Sequence, residues 1–149
     1  VAGRAGRAAD AGEVWLQTHH PGHPLLETLV NGGYHAFADA ELQQREAAGF
    51  PPFAHLALLR AEAQQVEHAN AMLSGVRDLI AHDCPVERFG PMPAPMPRRA
   101  GYQRTQLLLS APSRRPLHAL LDQIMPQVYA LPQARKVRWS LDVDPTDLY

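Results

Sequence analysis

A chain of 149 residues with 46% hydrophobic side chains can bury one core of ordinary size, which excludes disorder throughout. No run approaches the ~18 apolar residues of a membrane span and no charged, apolar leader marks a secretory signal, while the single Cys84 excludes internal disulfides and cysteine-based zinc clusters. The net charge of −1 hides a segregation: six basic and eleven acidic residues in 1–97, eight and one in 98–138, and three acidic residues in 139–149. Because the electric field follows local charge, the basic stretch points to a phosphate backbone or an acidic peptide as partner.

In chain order, Val1 to Arg7 comes first and carries the pattern G-R-x-G-R. Arg4 and Arg7 stand three apart beside glycines that allow close backbone approach, which suits a trans site that stabilises charge on a γ-phosphoryl group. The same pattern serves as a flexible basic linker, and seven residues leave both readings open. The chain opens inside this motif and is expected to be a piece of a longer protein. Gly12 to Thr18 alternates Val14 and Leu16 against Glu13, Trp15 and Gln17, which predicts a short strand. His19, His20 and His23 lie among Pro21 and Pro24 without i, i+4 spacing, so a turn is expected there and no metal site. A helix is expected over Pro24–Val30, ended by Asn31-Gly32-Gly33, and a second over Tyr34–Ala48, closed by Gly49. Phe50-Pro51-Pro52-Phe53 then forces an extended stretch, which places a domain boundary between residues 52 and 53.

Beyond it, Ala54–Arg60 is predicted to be a buried strand and Glu62–His82 an amphipathic helix with Val66, Ala69, Leu73, Val76 and Ile80 on one stripe. Val86–Phe89 is a short strand. The alternating prolines of residues 90–97 predict a loop, because proline cannot donate to a ladder; it serves as a stiff connector or as a polyproline ligand. Tyr102–Ser110 is a strand with Thr105, Leu107 and Leu109 on one face and Tyr102, Arg104, Gln106 and Leu108 on the other. Ser113 is the expected N-cap of a helix bearing Leu117, Leu120, Leu121, Ile124 and Val128, which Pro126 should kink or end. Lys136–Val143 is the last strand, with Val137, Trp139, Leu141 and Val143 facing one way. The order β-α-β-β-α-β is the split βαβ plan, so the fold class is α+β.

Several strings then combine: V-A-G-R-A-G-R, G-E-V-W-L-Q-T-H-H-P, G-Y-H-A-F-A-D-A-E-L with Arg45 and P-P-F after it, F-G-P-M-P-A-P, and K-V-R-W-S-L-D-V-D-P. Together they resemble the C-terminal part of the PriA family, the primosomal replication-restart DNA helicases also called primosomal protein N′. The resemblance covers essentially the whole chain. It implies a bacterial, cytoplasmic helicase of superfamily two that unwinds DNA 3′ to 5′ at abandoned forks, with ATP bound between two RecA-like lobes. Arg4 and Arg7 match the end of the family's motif VI. Residues 1–52 would be the last segment of the second lobe, and residues 53–149 a C-terminal domain similar to ferredoxin-like sheets and to the small ribosomal protein S-ten. The chain has no G-x-x-x-x-G-K-[ST], no D-E-x-H box and no paired cysteines. ATP, magnesium and structural zinc would therefore belong to the longer protein, and this piece is expected to hold no cofactor and to have no ATPase or unwinding activity alone.

Recognition is the chemistry left to it. An open sheet face carrying Tyr102, Arg104 and Arg138 suits an unstacked strand, with Arg98 and Arg99 on phosphates; the resemblance implies single-stranded and branched DNA as the ligand. Arg114 and Arg115 occupy a helix first turn, where the dipole disfavours cations unless they face an external anion. The resemblance makes that anion the acidic, Phe-ending tail of the single-stranded-DNA-binding protein SSB. Arg114 matches the family position, and His118 stands where relatives often carry Gln. Other primosome proteins are implied as further partners. The alternatives are an acidic-peptide module without DNA contact, or a brace for the helicase lobe through Phe50, Phe53, Tyr34 and Phe37.

Overall fold

The computed structural model describes residues 6–7, 10–11 and 13–148, and the chain divides into two compact units, 1–44 and 45–149. In the first, β1 (Gly6–Arg7) pairs antiparallel with β2 (Asp10–Ala11). Residues 13–18 form no strand, contrary to the sequence expectation, and Val14, Trp15 and Leu16 are 54%, 90% and 51% exposed. Alternation alone cannot hold a strand whose N–H and C=O groups find no neighbour, and none of the described strands pairs with this segment. Helix α1 (Pro24–Ala47) is two helical segments joined at Gly33, whose φ of 74° and ψ of −173° interrupt the helix where Asn31-Gly32-Gly33 predicts a break. Its last three residues belong to the second unit.

That second unit is built on a four-stranded antiparallel sheet of order β4-β5-β3-β6, made by β3 (His55–Ala63), β4 (Glu87–Arg99), β5 (Tyr102–Ala111) and β6 (Arg138–Val143). Helix α2 (Val66–Asp78) links β3 to β4; α3 (Arg114–Ala130) and a 3-10 turn at Pro132–Arg135 link β5 to β6. Period-two alternation sends Ala57, Leu59 and Ala61 of β3 and Leu107 and Leu109 of β5 to one side. There they meet Ala69, Met72, Leu73 and Val76 of α2 and Leu117, Leu121, Ile124 and Val128 of α3 in one cluster. Each large aliphatic side chain fully removed from water contributes about 1.5–3 kcal/mol relative to exposure. Both helices thus cover one sheet face and leave the other for side chains at alternate positions.

Four expectations need correction. Residues 62–65 are not helical: β3 continues to Ala63 because Glu62 is paired in register with Arg104 on one side and Arg138 on the other, and the helix begins only at Val66 and ends at Asp78. The proline run is a strand rather than a loop. β4 is an edge strand, with alternate N–H groups facing away from the sheet, so prolines at every second position remove donors that no neighbour needs; register shifts between Phe89 and Met92 and between Pro93 and Arg98 absorb the rest. Helix α3 runs through Pro126 to Ala130, held by the fully buried Ile124 and Val128 on either side of it. Ser113 occupies the N-cap position with extended φ and ψ, but its side chain makes no capping bond.

Candidate nucleic-acid interface

The end of β3, the starts of β5 and β6 and the tip of the β4–β5 hairpin meet at one corner of the sheet. The hairpin closes on Arg99 opposite Tyr102, through Ala100 and Gly101 at φ 48° and 83°, the doubly positive φ of a two-residue turn. Glu62 faces Arg104 on β5 and Arg138 on β6. Arg104 donates from Nε to Glu62 Oε1 at 3.1 Å and reaches the Met96 carbonyl at 3.5 Å; its side chain is only 13% exposed. Arg138 instead lies over the Tyr102 ring, its guanidinium carbon 4.6 Å from the centroid, a cation–π stack at the surface. Tyr102 and Arg138 are therefore brought together, while Arg104 is committed to Glu62.

Beside the stack opens a hollow of about 350 Å³ whose wall includes Gln64, His68, Tyr102, Arg135, Lys136 and Arg138, with Glu62 at its floor strand. Arg135 ends the 3-10 turn and Lys136 follows it, so both project where the chain enters β6. Sequence reading passed over Arg135, Lys136, Gln64 and His68; a basic pair at a helix-to-strand junction was the available signal. Among the described residues, Arg98, Arg99, Arg135, Lys136 and Arg138 make no ion pair, although Arg60, Arg104 and Arg114 each do. Arg135, Lys136 and Arg138 thus gather at the hollow and Arg98 and Arg99 stand at the adjoining hairpin tip, a local concentration of charge that attracts phosphate more strongly than the same charges dispersed.

The second group of predicted residues lies at the opposite end. His55 pairs with Ala111 at one end of β3 and Ala63 with Gln103 at the other, eight residue steps or roughly 27 Å apart. Arg114, just past Ala111, is 69% exposed and reaches Asp144 Oδ2 at 3.6 Å, while Asp144 Oδ1 lies 3.7 Å from His55 Nδ1. Arg115 and His118 are exposed on the first turns of α3. A groove of about 740 Å³ at this end of the unit is lined by Phe50, Phe53, Leu56, Phe89 and Leu108 and reaches Pro112, two residues before Arg114. Arg4 lies outside the described residues, and of Arg7 only its place in β1 is described. Among the described residues no group of three His, Cys, Asp or Glu side chains is placed to hold a metal ion, and no helix is long and apolar enough to cross a membrane.

Residues 46–146 match the family described as Primosomal protein N C-terminal domain. The chain is 47% identical over 150 aligned residues to the Replication restart protein PriA of Haemophilus influenzae, covering 99% of this chain and 20% of that protein. It is 37% identical to the protein of that name from Synechocystis sp. over 76% of this chain and 14% of the relative, and 26% identical to that of Bacillus subtilis over 97% and 18%. The chain thus spans about a fifth or less of the length of these curated relatives. With two thirds of its residues inside the family match, the chain belongs to the primosomal protein N C-terminal domain family, that of the replication restart protein PriA.

Proposed function

We propose that residues 53–149 bind single-stranded and branched DNA for a bacterial, cytoplasmic replication-restart helicase, through the corner that carries Tyr102, Arg138, Arg98 and Arg99, with Arg104 positioning Glu62 beneath them. The observation that carries this reading is the group of five cations, without ion pairs among the described residues, at the hollow and the adjoining hairpin tip beside an aromatic–guanidinium stack. A phosphate backbone neutralises the cations, and stacking accepts any base, which is the combination single-strand binders use. The strand order β4-β5-β3-β6, with both helices on one side of the sheet, supports a ferredoxin-like, S-ten-like fold for this unit. Residues 1–52 are the closing segment of the second RecA-like lobe; Arg4 and Arg7 act there as trans arginines only when the longer protein supplies the phosphate loop, ATP, magnesium and its structural zinc. This chain alone does not hydrolyse ATP. Fluorescence anisotropy of a labelled oligonucleotide with the full 149-residue chain tests the reading: affinity falls steeply with added salt. A flat salt dependence would refute it.

A second reading, compatible with the first, concerns the other end of the sheet. Arg114, Arg115 and His118 receive an acidic C-terminal tail such as that of SSB, other primosome proteins being further partners. The supporting observation is an apolar groove lined by aromatic side chains that ends two residues from Arg114, a place for an aromatic terminal residue beside a place for its acids. A tail peptide whose acidic residues are replaced by Asn and Gln should lose binding; equal binding of both peptides would remove this reading.

A further inference from the structure

We infer that the hollow beside Tyr102 is a nucleotide subsite: it holds one unstacked nucleotide of a single strand, the base lying on the Arg138–Tyr102 stack and its phosphate between Arg135 and Lys136. The inference rests on the DNA-binding reading and adds to it a site, a ligand class and roles for Gln64, Arg135 and Lys136.

Three features select a nucleotide. The volume of about 350 Å³ sits at the small end of ligand pockets, sized for one base and its sugar rather than for a duplex. The Arg138 guanidinium carbon lies over the Tyr102 ring, 4.6 Å from its centroid, so the pair presents a guanidinium and an aromatic side by side, the groups on which bases stack in single-strand readers. The polar groups are mixed in sign. Arg135 and Lys136 supply charge for a phosphate, whereas Glu62 accepts from Arg104 at Oε1 and, among the described residues, receives no hydrogen bond at Oε2. A carboxylate in the wall repels an acidic peptide but accepts from the amino edge of a base, and Gln64 both donates and accepts there. A purely anion-binding site has no use for Glu62; a nucleotide site has.

The test compares three labelled ligands on the full 149-residue chain: a single strand, a strand of equal length whose central positions lack bases, and a blunt duplex. The wild-type chain is expected to bind the intact strand about 5–150-fold more tightly than the abasic strand, the equivalent of one stacked base at about 1–3 kcal/mol. Tyr102→Leu should erase most of this preference while leaving duplex binding within a few-fold, and Arg135→Ala with Lys136→Ala should weaken both strands together. Equal wild-type affinity for intact and abasic strands overturns the subsite while leaving the DNA-binding reading standing. Loss of all three affinities in the wild-type chain overturns both. Because that comparison needs no variant, a substitution that impairs folding cannot shelter the inference, and a Tyr102→Leu chain that melts normally yet keeps the full preference also refutes it.

Discussion

Replacing Arg98 and Arg99 with Ala should flatten the salt dependence of single-strand binding by an amount the structure sets. Five cations that make no ion pair among the described residues stand at the corner and its hairpin tip: Arg98, Arg99, Arg135, Lys136 and Arg138. If each neutralises one phosphate, the slope of log K against log salt for a single strand is about −0.7 per contact, about −3.5 in all. Between about 50 and 200 mM salt the wild-type chain then loses about 100-fold in affinity, whereas the double variant, with a slope of about −2.1, loses about 20-fold. Both arginines are exposed at a hairpin tip, so the variant keeps its fold; coincident thermal melts verify this before binding is read. Anisotropy titrations at four salt concentrations give both slopes. A variant slope equal to that of the wild type would show that the tip does not meet phosphate, and a wild-type slope near zero would remove the interface altogether.

Three other outcomes follow from the same geometry. Arg138→Glu should cut DNA binding and spare capture of an acidic, Phe-ending peptide, and Arg114→Glu the reverse: the ends of β3 are roughly 27 Å apart, more than three times the ~8 Å Debye length at physiological salt. Equal loss of both ligands in both variants would point to one shared basic surface. Asp144→Asn should raise acidic-peptide affinity a few-fold, because it removes the carboxylate now 3.6 Å from Arg114, and Asn tolerates the φ of 52° at that position; unchanged affinity in a peptide titration counts against Arg114 as the anion contact. Gly90→Ala should destabilise the unit by about 1–3 kcal/mol or more, read as a lower urea midpoint: Gly90 has a φ of 115°, and an added Cβ would stand 2.7 Å from the Gln106 carbonyl oxygen and 3.0 Å from the Met92 nitrogen, both backbone atoms that cannot swing aside. An unchanged midpoint would mean that β4 is not held to β5 at this step.

The strands and helices of the second unit were legible where hydrophobic period and burial coincide. Leu107 and Leu109 on β5, and Leu117, Leu121, Ile124 and Val128 on α3, are the residues the periodicity picks and the residues the core contains. What was not legible depends on neighbours. The proline run reads as a loop until its place at the sheet edge is known, and Glu62 reads as helical until Arg104 and Arg138 are seen flanking it. The Gly12–Thr18 alternation shows the converse, a local pattern with no described strand beside it. The site was half visible. Tyr102 and Arg138 share a face by alternation and do meet, but Arg135, Lys136 and His68 join them only because the 3-10 turn and the first turn of α2 close on the same corner. No spacing in the chain encodes that approach.

Folding also changes what the charge segregation means. Taken as blocks, the three acids of the final stretch would offset less than half of the excess carried by the basic stretch before it. The sheet instead sorts them by end: Asp142 and Asp147 both pair with Arg60 at the middle of β3, Asp144 holds Arg114 and His55 at its start, and Glu62 holds Arg104 near its finish. The pairs of Asp142, Asp144 and Asp147 hold their carboxylates away from the hairpin corner, and Glu62, the carboxylate in the lining of the hollow, is offset by Arg104. The excess that remains is therefore smaller than the sequence count and far more local. A charge excess gathered at one corner directs a polyanion to a single entry point, and an edge strand with proline at every second position of 91–97 offers a second sheet few donors along its open side. Position in the register, more than the number of arginines, decides which of them meet a ligand.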